Sequence, residues 1–519
     1  MQKVFSSFRL PLFTAFLIAL WFIFFFLIQK DEQGHFIRFL LTDDAMISMD
    51  YARSLIQGCG LVWYCGADKV EGFTNPLWVL YMAFWHLCGI PRDIIALPII
   101  LTGFITLSFQ FAYARQLFSL YLSPQGTLLA SWIVALFPPL TLWHFMGLET
   151  GAILTLGIYL SLKAAQSSVP DWRVLLATAV GLLLRMDFLV PALSIGLFWS
   201  YRTKKWAPLL SFSLITFLTL ALLTIGRWMY YKTLLPNTYQ LKVASVPLVL
   251  RVVNGLATLI GSVGTNTPLW ALAAYGAYRL GRRHDLSLLA IVLAGSVCAY
   301  TVYVGGDAWE SAPLSNRYLA QSYVLLAGLA AFALDKWGRW LQIGLLLSVS
   351  AGISNRWSLL FATSPYVKPL TTNSVSNVFS VFVPFPLREL KLQPTGKIWL
   401  GPAGTTPYFY PEYRFGDYLG KCDTAVARRS PTCYLTMRFY QLYTPGHTRI
   451  GIDQLLADST AQAVFINPQG HPGRVRLSCE AQRYLAELAN HFDYVAPYGW
   501  IKKGLIRRES KADPIPRKS

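Results

Sequence analysis

Leu10-Pro-Leu-Phe-Thr-Ala-Phe-Leu-Ile-Ala-Leu-Trp-Phe-Ile-Phe-Phe-Phe-Leu-Ile-Gln29 is an uncharged run of 20 residues. As a helix, about 20 such residues cross about 30 Å of hydrocarbon. The run follows Lys3 and Arg9, is too long for the apolar core of a cleavable signal and has no small-residue cleavage site, so it is expected to remain as an anchor with its N-terminus in the cytoplasm. Comparable runs recur to about Ser350. With 54% hydrophobic residues, 14% charged residues and a mean hydropathy of +0.42, the chain is far from a soluble domain, in which about a quarter of residues are charged. Lipid is the expected solvent for most of it.

Residues 1–363 therefore read as a polytopic α-helical membrane module with a first external loop at 30–75. Residues 364–519, rich in Pro, Gly, Arg and Tyr and lacking a membrane-length run, read as a soluble α/β domain. The loops Tyr201-Arg-Thr-Lys-Lys205, Arg279-Leu-Gly-Arg-Arg283 and Lys336-Trp-Gly-Arg339 are basic and are expected in the cytoplasm. Counting outward from them, Gly147-Leu-Glu-Thr150, Arg185-Met-Asp187, Pro236-Asn-Thr238, Gly305-Gly-Asp307 and the C-terminal domain fall on the external, periplasmic face. Twelve crossings would return the C-terminus to the cytoplasm. Eleven or thirteen satisfy the charges, and the miscounted stretch is Pro76 to Leu122, where one run is short and the next is long enough to bend or split.

The net charge of +19 would suggest nucleic acid in a soluble protein. Here much of it lies beside the spans and in the C-terminal domain, where anionic lipid and phosphate-bearing substrates are the expected partners. Cys88 and Cys298 sit in apolar runs as reduced thiols. Cys59 with Cys65, and Cys422 with Cys433, are close enough in sequence to form disulfides in an oxidising compartment, while Cys479 lacks an evident partner. Without a zinc-ribbon repeat or a His cluster, a metal site is the weaker reading.

The chemistry concentrates in Leu40-Leu-Thr-Asp-Asp-Ala-Met-Ile-Ser-Met-Asp-Tyr-Ala-Arg53 and in Val70-Glu-Gly-Phe-Thr-Asn-Pro76. Apolar residues from Ala45 to Ile56 recur at helical spacing, which predicts an amphipathic helix along the membrane surface with Asp43 and Asp44 at its N-terminus. There the helix dipole favours ionised carboxylates, as a general base requires. A cap and a first-turn acid would account for one of the two. Two in tandem, followed by Asp50, Arg53 and Glu71, exceed what capping needs, and ionisable groups at a membrane boundary are costly.

These residues resemble the membrane arabinofuranosyltransferases of mycobacterial cell-wall synthesis, the AftB type, and their relatives in other bacteria, within the wider GT-C glycosyltransferases. The resemblance runs through Asp43-Asp44-Ala-Met-Ile, Tyr51-Ala-Arg53 to Gly60, Val70 to Pro76, Gly147 to Thr150, Leu184-Arg-Met-Asp187, Tyr230 to Thr238, Tyr303 to Asp307 and Asn316-Arg-Tyr318. It implies a GT-C bundle of about eleven to thirteen spans, a polyprenyl-phosphate sugar donor and a catalytic aspartate, a place filled by Asp43 or Asp44. The chain departs from the family's Arg-Pro-Asp triplet at Arg185-Met-Asp187, and an inserted Ala308 to Pro313 stretch precedes Arg317. The C-terminal domain offers no match, so the acceptor is not carried over.

A polyprenyl-phosphate sugar presents an apolar tail, an anionic phosphate and a neutral sugar. Arg53, Arg185, Arg227, Lys232, Lys242 and Arg317 are the candidate cations for the phosphate, with Arg227 and Lys232 readable as helix-end snorkelling residues. Asn237 ends the Tyr230 to Thr238 motif. Glu71, Glu149, Asp187 and Asp307 are candidates for sugar hydroxyls or for orienting the cations, their bland alternative being structural ion pairs. His144, in an aromatic stretch, reads as a structural group rather than a general acid. The expected reaction transfers a sugar, arabinofuranose by resemblance, to a hydroxyl of an envelope glycan or surface protein at the periplasmic face of the bacterial inner membrane. No cofactor is required, though a divalent cation bridging the tandem carboxylates and the phosphate is compatible with the pattern. An oligosaccharyl- or aminosugar transferase would share the architecture. A transporter or flippase would place its charges nearer mid-membrane, and a non-catalytic assembly protein would tolerate loss of the acidic pair.

Overall fold

The structure is a computed structural model that describes residues 28–30, 36–38, 41–309 except 245 and 282, 316–335, 344, 392–401, 403–429, 441–449, 451–465, 487–495 and 499–503. The anchor expected before residue 28, the Lys336–Arg339 loop, the 363/364 boundary, Cys433 and Cys479 lie outside these residues.

Helix α1 (Asp43–Ile56) is capped by Thr42, whose hydroxyl accepts from the Ala45 amide, and it carries Asp43 and Asp44 in its first turn and Arg53 in its last, matching the ends of its dipole. It differs from the expected surface helix. Every residue from Asp43 to Ser54 except Asp44 is buried, because α2 (Pro76–Leu87) covers one side and the C-terminal domain the other. A Cβ on Gly404 would lie 2.0 Å from the Asp43 carbonyl oxygen, so only glycine allows that approach.

Long apolar helices follow: α3 (Ala96–Phe118), α4 (Pro124–Leu136), α5 (Thr150–Gln166), α6 (Trp172–Leu184), α7 (Leu189–Thr203), α8 (Ala207–Tyr231), α9 (Leu248–Thr265), α10 (Thr267–Leu280), α11 (Asp285–Val304) and α12 (Arg317–Leu334). The chain is a multi-pass helical membrane protein. Among the described residues five helices (α3, α8, α9, α11 and α12) are long and apolar enough to cross a membrane alone. A sixth crossing arises if α4 and the Pro138–His144 turns, bent by 61°, form one span. Five further helices of the described residues, α2, α5, α6, α7 and α10, are shorter, at 12 to 17 residues. The run after Arg92 neither bends nor splits: α3 is one helix of 23 residues. The bend sits one element later, where Pro138 and Pro139 interrupt the ladder.

The C-terminal domain is built on a five-stranded sheet, β3 (Lys397–Leu400), β4 (Arg414–Asp417), β5 (Ala461–Phe465), β6 (Phe492–Val495) and β7 (Gly499–Lys502), in the order β4-β3-β5-β7-β6. β3 runs parallel to β4 and β5, and the β7–β6 edge is antiparallel. The first loop, which begins with the short hairpin of β1 (Ile28–Lys30) and β2 (Phe36–Arg38), docks on this domain. Trp63 Nε1 donates to the Ala403 carbonyl at 2.8 Å and the Tyr64 hydroxyl to that of Phe415 at 3.0 Å. Cys59 and Cys65 form the expected disulfide. Cys422 does not form the second one: its thiol is free and buried, against the Tyr51 hydroxyl.

Candidate active site

Four breaks in the helical framework deliver the polar groups to one end of the bundle. The first is the start of α1. The second is the α6–α7 junction, where Arg185 adopts an extended φ of −159° before a 3-10 turn at Met186–Phe188. Phe188 folds back onto Gly181, where a Cβ would lie 2.2 Å from the ring. The third is a π turn at Gln240–Ala244 that carries Lys242, a form common at functional sites. The fourth follows α11: Gly305 and Gly306 take φ of +90° and +94° and turn the chain to Asp307.

Asp43 and Asp44 are treated differently. Asp43 Oδ1 accepts the Gly404 and Thr405 amides at 3.0 and 2.9 Å. Burial pushes its carboxyl up to about 6, against the pull of Lys421 and these amides. Asp44 keeps 24% of its side chain exposed, and its oxygens accept from Lys421 Nζ at 2.8 Å and Trp309 Nε1 at 2.6 Å. Burial would raise its pKa, but Lys421 and then Arg317 outweigh that and hold it well below the usual carboxylate range.

The remaining predicted residues separate into three groups. Arg185, Asp187, Glu149, Lys242, Asp307 and Arg317 come together. Arg185 grips Asp187 through Nε at 2.9 Å and Nη2 at 2.6 Å and reaches Glu149 at 3.1 Å. Glu149 also accepts from Asn75, which accepts from Ser48. Asp307 holds Arg317 by Nε and Nη2, both at 2.8 Å, and accepts the Arg317 amide, so it caps α12 as well. It stays down at about 2 despite burial, chiefly through Arg317. Lys242 has no hydrogen bond or ion pair among the described residues, and its amine is lowered to about 8 by burial and by Arg317. Asp307 and Asp44 pull the other way, so the amine sits in a field of both signs, beside two arginines.

Asn237 belongs to a second role. Its side-chain amide donates to the Gly420 and Lys421 carbonyls at 2.7 and 2.9 Å and so steadies the turn that carries Lys421. The third group is taken up in contacts of its own, with Arg227 Nη2 also reaching Met186 Sδ at 3.4 Å. Glu71 is paired with Arg227, which is buried rather than snorkelling. Arg53 binds Asp50 at 3.2 Å and the Pro407 and Tyr408 carbonyls, holding the C-terminal domain. Lys232 is the exposed left-handed cap of α8, lying over Trp228. His144 is enclosed by Thr106 and Gln110, as a structural histidine.

Sequence reasoning missed Trp309, Lys421 and His447. All three approach Asp44 from distant segments, and His447 is held neutral, at about 4, by burial and by Lys421. Arg185, Asp187 and Arg317 line a small cleft together with Ile153, Phe188, Val190, Val297, Tyr300 and Tyr318. Among the described residues no group of His, Cys, Asp and Glu is set for a metal ion.

A membrane protein with a carboxylate and a cation cluster at one end of its bundle is the class that fold and site define. No family model and no curated protein matches the chain. Among solved structures it is similar to ArnT from Cupriavidus metallidurans bound to undecaprenyl phosphate, with 12% identity over 77% of this chain and 84% of that one and a TM-score of 0.47. ArnT from the same organism in the apo state gives 13%, 79%, 85% and 0.47. The archaeal oligosaccharyltransferase AglB from Archaeoglobus fulgidus, in complex with an inhibitory peptide and a dolichol-phosphate, gives 10%, 80%, 65% and 0.46. These are loose likenesses, and the functional reading stands on this chain's own residues.

Proposed function

We propose that the chain is a GT-C type glycosyltransferase that moves a sugar, arabinofuranose by its sequence resemblance, from a polyprenyl-phosphate donor to a hydroxyl of an envelope glycan or surface protein at the periplasmic face. One observation carries the reading: Arg317 and Lys242 face Asp44, Arg185 lies beside Lys242, and the two arginines line a cleft together with Ile153, Val190 and Val297. That combination suits an anionic head on a hydrocarbon tail. Arg185 and Arg317 are pre-set by their carboxylates and keep N–H groups to offer, and Lys242 adds a third basic group beside them.

Asp44 takes the proton from the acceptor hydroxyl as its oxygen bonds to the anomeric carbon. The bond from that carbon to the phosphate oxygen breaks, and the cations take up the charge developing on the departing polyprenyl phosphate. Asp43, whose one oxygen is committed to two amides of the C-terminal domain, is the anchor rather than the base. A divalent cation does not fit: Asp44 already faces an ammonium and an indole N–H, and Lys242, Arg185 and Arg317 would repel it. The transfer is proposed without one, and chelation should leave the rate unchanged.

The test incubates purified protein with a panel of polyprenyl-phosphate sugars and envelope-derived acceptors and reads the linkage by mass spectrometry. Asp44→Asn should lose transfer by about 10²–10⁴-fold while still unfolding cooperatively, at a lower melting temperature because Lys421 loses its partner, and Asp43→Asn should retain much of the transfer. Normal transfer by both variants overturns the mechanism. Transfer of an oligosaccharide or an aminosugar alone would assign the alternative donor.

A further inference from the structure

The cation paired with the proposed base comes from the C-terminal domain, 377 residues along the chain. The turn that presents it is firmly built. Asp417 accepts the amides of Leu419 at 2.9 Å, Gly420 at 3.1 Å and Cys422 at 2.7 Å. Gly420 has a φ of +82°, and a Cβ there would lie 2.9 Å from the Ala427 amide nitrogen. Asn237 holds the same turn from the membrane side through two carbonyls. These contacts fix the backbone at 417–422 and leave the Lys421 side chain to bridge to Asp44.

Resting on the transferase reading, we propose that Lys421 is a positioning residue that covers Asp44 in the resting site and must swing off it before the carboxylate can accept the acceptor's proton. Lys421 Nζ and Trp309 Nε1 each occupy one Asp44 oxygen, the atoms an incoming hydroxyl has to reach. A carboxylate so well neutralised is also a poor base, since general-base catalysis works best with a pKa near the operating pH. The pair is partly open to solvent, with Lys421 18% and Asp44 24% exposed, so the flexible four-carbon stem can withdraw without moving the turn. The charged and titratable groups facing Asp44 are Asp43 from its own helix, Lys421 and His447 from the C-terminal domain, Lys242 from the π turn and Arg317 from α12. Of these, Lys421 alone makes direct contact with it among the described residues.

The experiment uses the full chain in lipid nanodiscs. Modification of Asp44 by a water-soluble carbodiimide, which attacks the protonated carboxyl, is followed by peptide mass spectrometry as a function of pH. In Lys421→Met and Lys421→Gln the midpoint should move up by at least about one pH unit, and in Lys421→Arg it should stay at the wild-type value. With polyprenyl-phosphate arabinofuranose as donor, the acid limb of kcat/KM should move up with it, and release of sugar to water without acceptor should rise several-fold. An unmoved midpoint in both neutral variants overturns the proposal, as does a moved midpoint with an unmoved limb. Wild-type protein that turns over no lipid-linked sugar overturns the transferase reading instead, which separates the two failures.

Discussion

Successive residues on an α-helix point about 100° apart, and the first turn of α1 uses that angle to send Asp43 to the Gly404 and Thr405 amides and Asp44 to Lys421 and Trp309. The consequence for Asp43 is measurable. Its pKa in the folded protein, about 6, lies above the ordinary 3.8, so the folded state binds the proton more tightly than the unfolded chain does. That contribution is complete below 3.8 and is lost as the pH rises through about 6. Asparagine carries no such titration. The melting temperature of Asp43→Asn relative to wild type should therefore rise between pH 5 and pH 7, and an offset constant across that range would show that Asp43 does not bury its charge. At this scale the charges were legible in the sequence because carboxylates and arginines at apolar boundaries stand out. Their pairing was not. Glu71 chose Arg227 over Arg53 or Arg185, and nothing local in the sequence encodes which of several cations lies across a groove.

Elements meet here through small residues. Gly255 on α9 faces α11 so closely that a Cβ would lie 2.6 Å from the Val302 Cα and from its carbonyl oxygen. One residue before it, Asn254 accepts the Leu442 and Tyr443 amides and donates to the Gly305 and Tyr443 carbonyls. The α9–α11 contact thus also seats the segment leading to His447. Gly255→Val should lower stability by about 1–3 kcal/mol, because backbone rather than a mobile side chain must give way, and the loss should appear as a lower melting temperature in detergent. An unchanged value would mean that the two helices are not in contact there. The helical periodicity of α1 was legible, but its burial on both sides was not: amphipathicity reports one apolar face, and the cover on the other came from Gly404 and the 405–409 turn.

The whole molecule separates its charges along the helices. Arg185 sits just before α7, and the basic Tyr201–Lys205 loop overlaps its far end, 15 residues or about 22 Å away. Asp307 follows α11, and Arg279–Arg283 precedes its start, 20 residues or about 30 Å back. Both basic loops thus lie a helix length from the ionic site. With the positive end in the cytoplasm, a membrane-impermeant thiol reagent should label Lys69→Cys in intact spheroplasts and Lys204→Cys only in inverted vesicles, in a Cys88→Ser background. The reverse pattern would place the site on the cytoplasmic face and remove the proposed periplasmic acceptor.

Hydropathy and loop charge, both sums over local residues, were enough for the sequence alone to determine a helical membrane module and a C-terminal α/β domain, and to gather Glu149, Arg185 and Asp307 at one end of the bundle. The tertiary structure decided the rest. It split Asp43 from Asp44, buried Arg227 on Glu71, left Cys422 reduced, and brought Lys421, Trp309 and His447 to the carboxylate. Those outcomes depend on contacts between segments hundreds of residues apart, where neither spacing nor propensity carries a signal and only the packing of one module against the other selects the partner.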